Sequence, residues 1–472
     1  MSFFSIQWRL SSIFLVILIL SACQRVYSDN KRLEPLPQDP FVQVYFNHSQ
    51  SSQYLEPYRQ QTHPGDDLEK LIVETISQAK STIDVAVQEL RLPKIAQAIV
   101  DKQKSGVKVR VIIENHYSRP WSSFTVEEVN KLDKREQQRY QDYRLFADSN
   151  KDGKLSIEEI NKTDALVILN EANIPLIDDK ADGSQGSSLM HHKFVVVDHR
   201  FAIVSSANFT MSDIHGDFTN TNSLGNANNL LKIDSPEVAD LFTKEFNLMW
   251  GDGVAGQLDS KFGLQKPIQN SHQVMLGDNQ ITVKFSPNSP TQSWLQSSNG
   301  LIANTLSSAS QSIDIALFVF SEQRLANILE IRHNNNVKIR ALIDSGFAYR
   351  PYSEALDMMG IALAEKCKNQ PDNHLWKNPI TTVGVPVLAK GDLLHHKFAV
   401  IDHKTVITGS HNWTKAANNG NDETLLVIEN PIVAAHYQRE FDRLYANSRL
   451  GIPPKIQQKM KAQAKQCQTP TE

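Results

Sequence analysis

The feature that most constrains this chain is an internal duplication. His191-His192-Lys193-Phe-Val-Val-Val-Asp198 returns as His395-His396-Lys397-Phe-Ala-Val-Ile-Asp402. Each copy leads to a short polar signature, Ser205-Ser206-Ala207-Asn208 in the first and Gly409-Ser410-His411-Asn412 in the second. The flanks repeat as well. Ile83-Asp84-Val-Ala86 matches Ile313-Asp314-Ile-Ala316, and Val107 to Glu114 matches Val337 to Asp344. Asp234-Ser-Pro236 matches Glu429-Asn-Pro431. Repeats this long are duplicated domains rather than solenoid units, so the 472 residues divide into two similar halves.

Each half alternates between helical and strand periodicity. In the first, the pattern predicts helices over 68–80, 93–104 and 236–248. Strands are predicted over 83–88, 107–113, 201–206 and near 229–233. The apolar, β-branched run between each Lys and Asp reads as a buried strand. Such alternation predicts an α/β architecture: two similar domains with mixed central sheets, packed about a pseudo-two-fold axis. The halves are expected at 42–250 and 279–452, with a linker at 251–278 and a polar tail at 453–472. On a strand, residues two apart share a face. His191 therefore points with Lys193, and His395 with Lys397, while His192 and His396 point the other way.

The first half carries an insertion, at about 121–165. Within it, Asp148-Ser-Asn150-Lys-Asp152-Gly153-Lys154-Leu-Ser156-Ile-Glu-Glu159 fits the twelve-residue EF-hand loop. Oxygen donors fall at Asp148, Asn150, Asp152, Ser156 and Glu159, with the Lys154 carbonyl at the backbone position. A structural Ca2+ is expected here, weakly held because a lone EF-hand lacks its usual partner.

The repeated motif supplies an imidazole, an ammonium, a hydroxyl and an amide. Imidazole is a competent nucleophile or proton carrier near neutral pH. Lys, Asn and Ser are donors suited to an anionic oxygen. If duplication brings His191 and His395 to one seam, one ring attacks phosphorus while the other protonates the leaving alcohol. The second ring then activates water. No Cys cluster or His-Glu-x-x-His spacing supplies a catalytic metal, and none is expected.

His-x-Lys-(x)4-Asp followed by Gly-Ser-x-Asn, twice per chain, resembles the phospholipase D superfamily, which includes phospholipases, phosphatidyltransferases such as cardiolipin synthases, and nucleases. The resemblance covers most of residues 42–446. It implies a phosphohistidine intermediate formed without metal. It assigns the motif set His191, Lys193, Asp198, His395, Lys397 and Asp402, the two Asp being structural in such folds. Ser206, Asn208, Ser410 and Asn412 fall at its phosphate-binding and supporting positions. It further implies an acidic residue downstream that orients the His. Glu423 fits for the second copy, whereas the first has Asn228, with Asp217 as a possible substitute. Which His is the nucleophile stays open, with family analogy favouring His191.

Composition matters mainly for location and substrate. A formal net charge of -3 gives no basic field for nucleic acid. A charged start, an apolar run from Ile13 to Leu20 and Leu20-Ser21-Ala22-Cys23 read as an export signal over 1–22. Its ending resembles a bacterial lipobox, with lipidation at Cys23 and a tether over 23–41. The expected protein is a monomeric, exported, membrane-anchored lipoprotein, in which Cys367 and Cys467 are free to pair. Held beside a bilayer, it is expected to hydrolyse the head-group diester of phospholipids. An exported endonuclease and a phosphatidyltransferase are the alternatives.

Overall fold

The computed structural model describes residues 32–181, 183–254, 256–289, 291–365 and 367–468. The signal segment and Cys23 lie outside the described residues.

Two mixed sheets form the body. The first runs, edge to edge, Val42–Phe46, Asn229–Asp234, Phe201–Ser205, Lys193–Val197, Thr82–Val87, Lys108–Ile113, Leu176–Asp178. The second places Asn279–Ser286, Asn421–Glu429, Thr405–Gly409, Lys397–Ile401, Ser312–Leu317, Lys338–Ile343 and Val383–Pro386 in the equivalent order. It extends that order with His272–Leu276 at one edge and Ser448–Leu450 at the other. In each half the motif strand is central. It pairs antiparallel with the Asp84 or Asp314 strand, with Val87 opposite Lys193 and Leu317 opposite Lys397.

Alternation along the motif strand explains the layering. Phe194 and Val196 enter a core shared by both halves, whereas Val195 and Val197 enter an outer core of the first half. Helices Pro236–Trp250 and Pro431–Ala446 lie in the shared core, burying Val238, Phe242 and Phe246 in one and Val433, Tyr437 and Phe441 in the other. Both start alike. Ser235 and Asn430 accept from the first-turn N–H groups, and Pro at the first helical position needs no partner. Burial of each large apolar side chain contributes about 1.5–3 kcal/mol, so the shared core welds the halves.

Two expected boundaries shift. The presumed linker is structured: His272–Leu276 is a strand paired to Asn279–Ser286, and Phe262 is buried in the shared core. Lys266, also from this stretch, is buried between Glu245 of the first half and Asp422 of the second. The tether is docked in part, since buried Asp39 accepts from Asn279 and Asn430, and Arg439 donates to the Glu34 carbonyl. These contacts pair residues distant in sequence, so local pattern did not reveal them. Pro454–Gln468 is helical, and Cys367 and Cys467 are joined by a disulfide.

The insertion forms helices Lys134–Ala147 and Ile157–Thr163 around the acidic loop. Asp148 accepts from the N–H groups of Asp152 and Gly153, and Glu159 accepts from those of Ser149 and Ser156. Gly153 takes the left-handed backbone that the sharp turn requires, at φ 81°. The donor types suit a hard cation. However, among the described residues no three His, Cys, Asp or Glu side chains group as a metal site.

Candidate active site

The seam is built by strand exchange. Leu189–Met190, leading into the first motif, pairs in parallel with Asn421 and Asp422 of the second half. Ala227 of the first half bridges Leu394, which leads into the second motif. His191 N–H then donates to the Asp422 carbonyl at 2.9 Å, and His395 N–H to the Ala227 carbonyl at 3.1 Å. Each motif is therefore seated on the other half.

The histidines are oriented across this seam. Nδ1 of His191 lies 2.6 Å from Oε2 of Glu423, and Nδ1 of His395 lies 3.0 Å from Oδ1 of Asn228. The within-copy pairing expected for Glu423 is corrected: it serves the first histidine, and Asn228 serves the second. The reason is the strand exchange, which brings the residue after each exchanged strand to the opposite ring. Ser410 Oγ donates to Glu423 at 2.6 Å, and Ser206 Oγ to Asn228 at 2.7 Å, so each motif serine fixes an orienting group. Asn228 is suited as an amide, because its Nδ2 donates to the carbonyls of Asp213 and Asn226. A carboxylate there would face those two carbonyl oxygens.

Sequence reading missed Asp213. Its Oδ1 lies 3.9 Å from His395 Nδ1, and its Oδ2 accepts from the Asn208 N–H at 2.8 Å. Asp217, the expected substitute, instead faces Asp142 and Arg59 on the flank, where burial pushes its carboxyl up to about 6. Position 213 stands five residues after Asn208, where the second copy has Ala417, so no matched motif marked it.

The lysines lie beneath. Lys193 Nζ donates to the His191 carbonyl and to Gln88, and Lys397 Nζ donates to the His395 carbonyl. Where the first half has Gln88, the second has Phe318, whose ring lies 4.9 Å from Lys397 Nζ and 4.8 Å from the His395 ring. Asn208 and Asn412 present amides whose buried Oδ1 atoms have no partner. His192 and His396 do point away, to Glu245 and Glu440 in the shared core. Trp413 is likewise core, edge to face with Phe320.

Asp198 and Asp402 are not at the seam. They lie five residues past the lysines, roughly 16 Å along the strand. Asp198 accepts from the N–H groups of Lys80, Ser81 and Thr82, and Asp402 from those of Ser310, Gln311 and Ser312. They close the turn onto the preceding helix–strand loop.

Four groups able to carry positive charge thus crowd one buried seam. Burial lowers both imidazoles well below 6.5, and the two ammoniums add to this. Burial also lowers Lys193 to about 8 and Lys397 well below 10.5, the latter with help from Lys193. Against the two carboxyls at the seam, Glu423 and Asp213, stand these four proton acceptors, which an added phosphodiester would favour in their charged forms. A bound anion must raise these values. Between about pH 8 and 10, inorganic phosphate is therefore expected to bind with net proton uptake, since Lys193 is largely neutral beforehand. Titration calorimetry in two buffers of different ionisation enthalpy measures this, and phosphate bound without proton uptake would contradict the site's electrostatics.

Residues 72–250 and 302–445 match the family described as cardiolipin synthase, PLD-like domain. A mitochondrial cardiolipin hydrolase of Xenopus laevis is 31% identical over 139 residues, 29% of this chain and 56% of that protein. A phospholipase D of Rickettsia conorii is 29% identical over 136 residues, 29% of this chain and 58% of that protein. The chain thus spans about half the length of the curated relatives it matches. The crystal structure of phosphatidylserine synthase from Haemophilus influenzae shares the fold, at TM-score 0.52 and 12% identity, over 92% of this chain and 95% of that one.

Proposed function

Since the chain belongs to the cardiolipin synthase and phospholipase D-like family, we propose that it is a phosphodiesterase hydrolysing the head-group diester of phospholipids through a phosphohistidine. The observation that carries this is the crossed support of His191 by Glu423 and His395 by Asn228. Glu423 accepts the Nδ1 proton of His191 and leaves Nε2 as the free lone pair. A carboxylate there also favours the charge that the ring acquires on attacking phosphorus. His395 meets the Asn228 amide at 3.0 Å and the Asp213 carboxylate only at 3.9 Å, so its cation is held less strongly than that of His191, which suits it to hand a proton to the departing alcohol. His191 is therefore the nucleophile and His395 the general acid. His395 then takes a proton from water as that water displaces His191 from phosphorus. Lys193, Lys397, Asn208 and Asn412 bind the non-bridging oxygens throughout.

Export with a lipid anchor at Cys23 remains part of the proposal. The disulfide between Cys367 and Cys467 supports an oxidising compartment. Calcium at Asp148–Glu159 is proposed on the spacing of its oxygen donors alone. The test is the purified protein offered phospholipid micelles, single-stranded DNA and bis(4-nitrophenyl) phosphate, each with and without chelator. We expect free head group and phosphatidic acid, intact DNA, and turnover that survives chelation while the melting temperature falls. DNA cleavage without lipid cleavage would replace the lipase reading by the nuclease one. A melting temperature unmoved by chelator would remove calcium.

A further inference from the structure

A cleft flanks the seam on each half, at equivalent positions. On the first half, Glu89, Arg91 and Thr210 line a cavity of only about 50 Å3. The insertion has closed it: Arg139, from helix Lys134–Ala147, lies buried against Glu89 with an N–O distance of 2.5 Å. On the second half, the equivalent Val319, Ser321 and Thr414 line an open cavity of about 400 Å3. Its chemistry is different. Ser353, Glu354 and Asp372 line it, with Lys415 held by Asp372 at the rim.

No seam residue lines this open cleft, but it is joined to the second histidine through short stretches of chain. Val319 follows Phe318, whose ring packs on His395, and Thr414 stands two residues beyond Asn412. The cleft thus begins within about 7 Å of chain from groups at the seam. Its inner wall holds buried oxygens that no donor meets. Glu354 is 5% exposed, Ser353 is 4% and Asp357, behind them, is 1%. Glu354 Oε2, Ser353 Oγ and Asp357 Oδ1 are buried without partners. Four carboxyls, Glu322, Glu354, Asp357 and Asp372, face this region, against Lys415, Arg324 and His374.

Resting on the phosphodiesterase reading above, we propose that this second-half cleft binds the primary ammonium of an aminoalcohol head group, seating its ester oxygen beside His395. A primary ammonium supplies both what these buried oxygens lack, a positive charge and several N–H donors. A quaternary ammonium supplies the charge without the donors, and a polyol the donors without the charge. A proton on Glu354 otherwise holds this place. Burial, with Asp357 and Asp372 adding, pushes the Glu354 carboxyl up to about 9, so it is neutral at pH 7. Ammonium binding displaces that proton. The placement also fits the chemistry, since the alcohol leaving from this cleft departs next to the proposed acid.

The experiment compares kcat/KM for phosphatidylethanolamine, phosphatidylcholine and phosphatidylglycerol in mixed micelles, with bis(4-nitrophenyl) phosphate as a head-group-free control. The wild type should prefer phosphatidylethanolamine by roughly 10-fold or more over both other lipids. Glu354→Gln, an isostere of the protonated acid, should bring these ratios near one. Asp372→Asn, at the exposed rim, should lower the same ratios without threatening the fold. Equal use of the three lipids, or an ethanolamine preference that survives both substitutions, overturns the cleft assignment while the diesterase stands. Failure to cleave any of the four overturns the diesterase reading, and the cleft assignment with it.

Discussion

His191→Ala is expected to lower kcat by ~10⁴-fold or more, and His395→Ala by ~10²–10⁴-fold, with both variants folded. The two losses differ because the two rings are held differently. His191, backed by Glu423, forms the covalent bond; without it there is no intermediate. His395, held by Asn228, moves protons. With a 4-nitrophenyl ester the leaving group departs unprotonated, so His395→Ala should still pass the first step and stall at the second. Base-quenched mass spectrometry is then expected to find phosphoryl adduct on His191 in that variant and none in His191→Ala. Substantial turnover left in both variants would refute a shared seam. Both imidazoles are buried, so truncation also leaves a small cavity, and a melting curve must accompany each rate.

Lys266→Met should destabilise the fold by about 3–5 kcal/mol, a fall in melting temperature on the order of 10 °C. The Lys266 ammonium joins segment 251–278 to both halves. It contacts Glu245 from helix Pro236–Trp250 and Asp422 from strand Asn421–Glu429. It also donates to the Ser286 carbonyl. Removing the ammonium leaves two buried carboxylates facing each other, which is costlier than the salt bridge is favourable. Asp422 adjoins Glu423 and accepts the His191 N–H, so loss of the clamp should reach the nucleophile as well. Adding Glu245→Gln and Asp422→Asn should recover part of the stability. A single variant that melts like the wild type would show the clamp to be dispensable.

The sequence alone determined the duplication, the α/β alternation and the strand on which each His and Lys share a face. Those are local properties: a period of two in Phe194 to Val197, an N-cap and Pro at Ser235-Pro236, and a repeat legible by matching residues. The family resemblance was legible for the same reason, since His191-x-Lys193 and Ser206-x-Asn208 sit at fixed short spacings. What the tertiary structure decided are pairings between distant residues. Which half supports which histidine turned on the exchange of Leu189–Met190 and Leu394 between sheets, so Glu423 serves His191 rather than its own copy. Asp213 entered the seam through Asn208 and Asn226, with no repeat to announce it. The closure of one flanking cleft by Arg139, and the openness of the other, is likewise a matter of where an insertion packs. Local sequence encodes backbone periodicity and face; contact between residues far apart in the chain is set by packing, which spacing does not record.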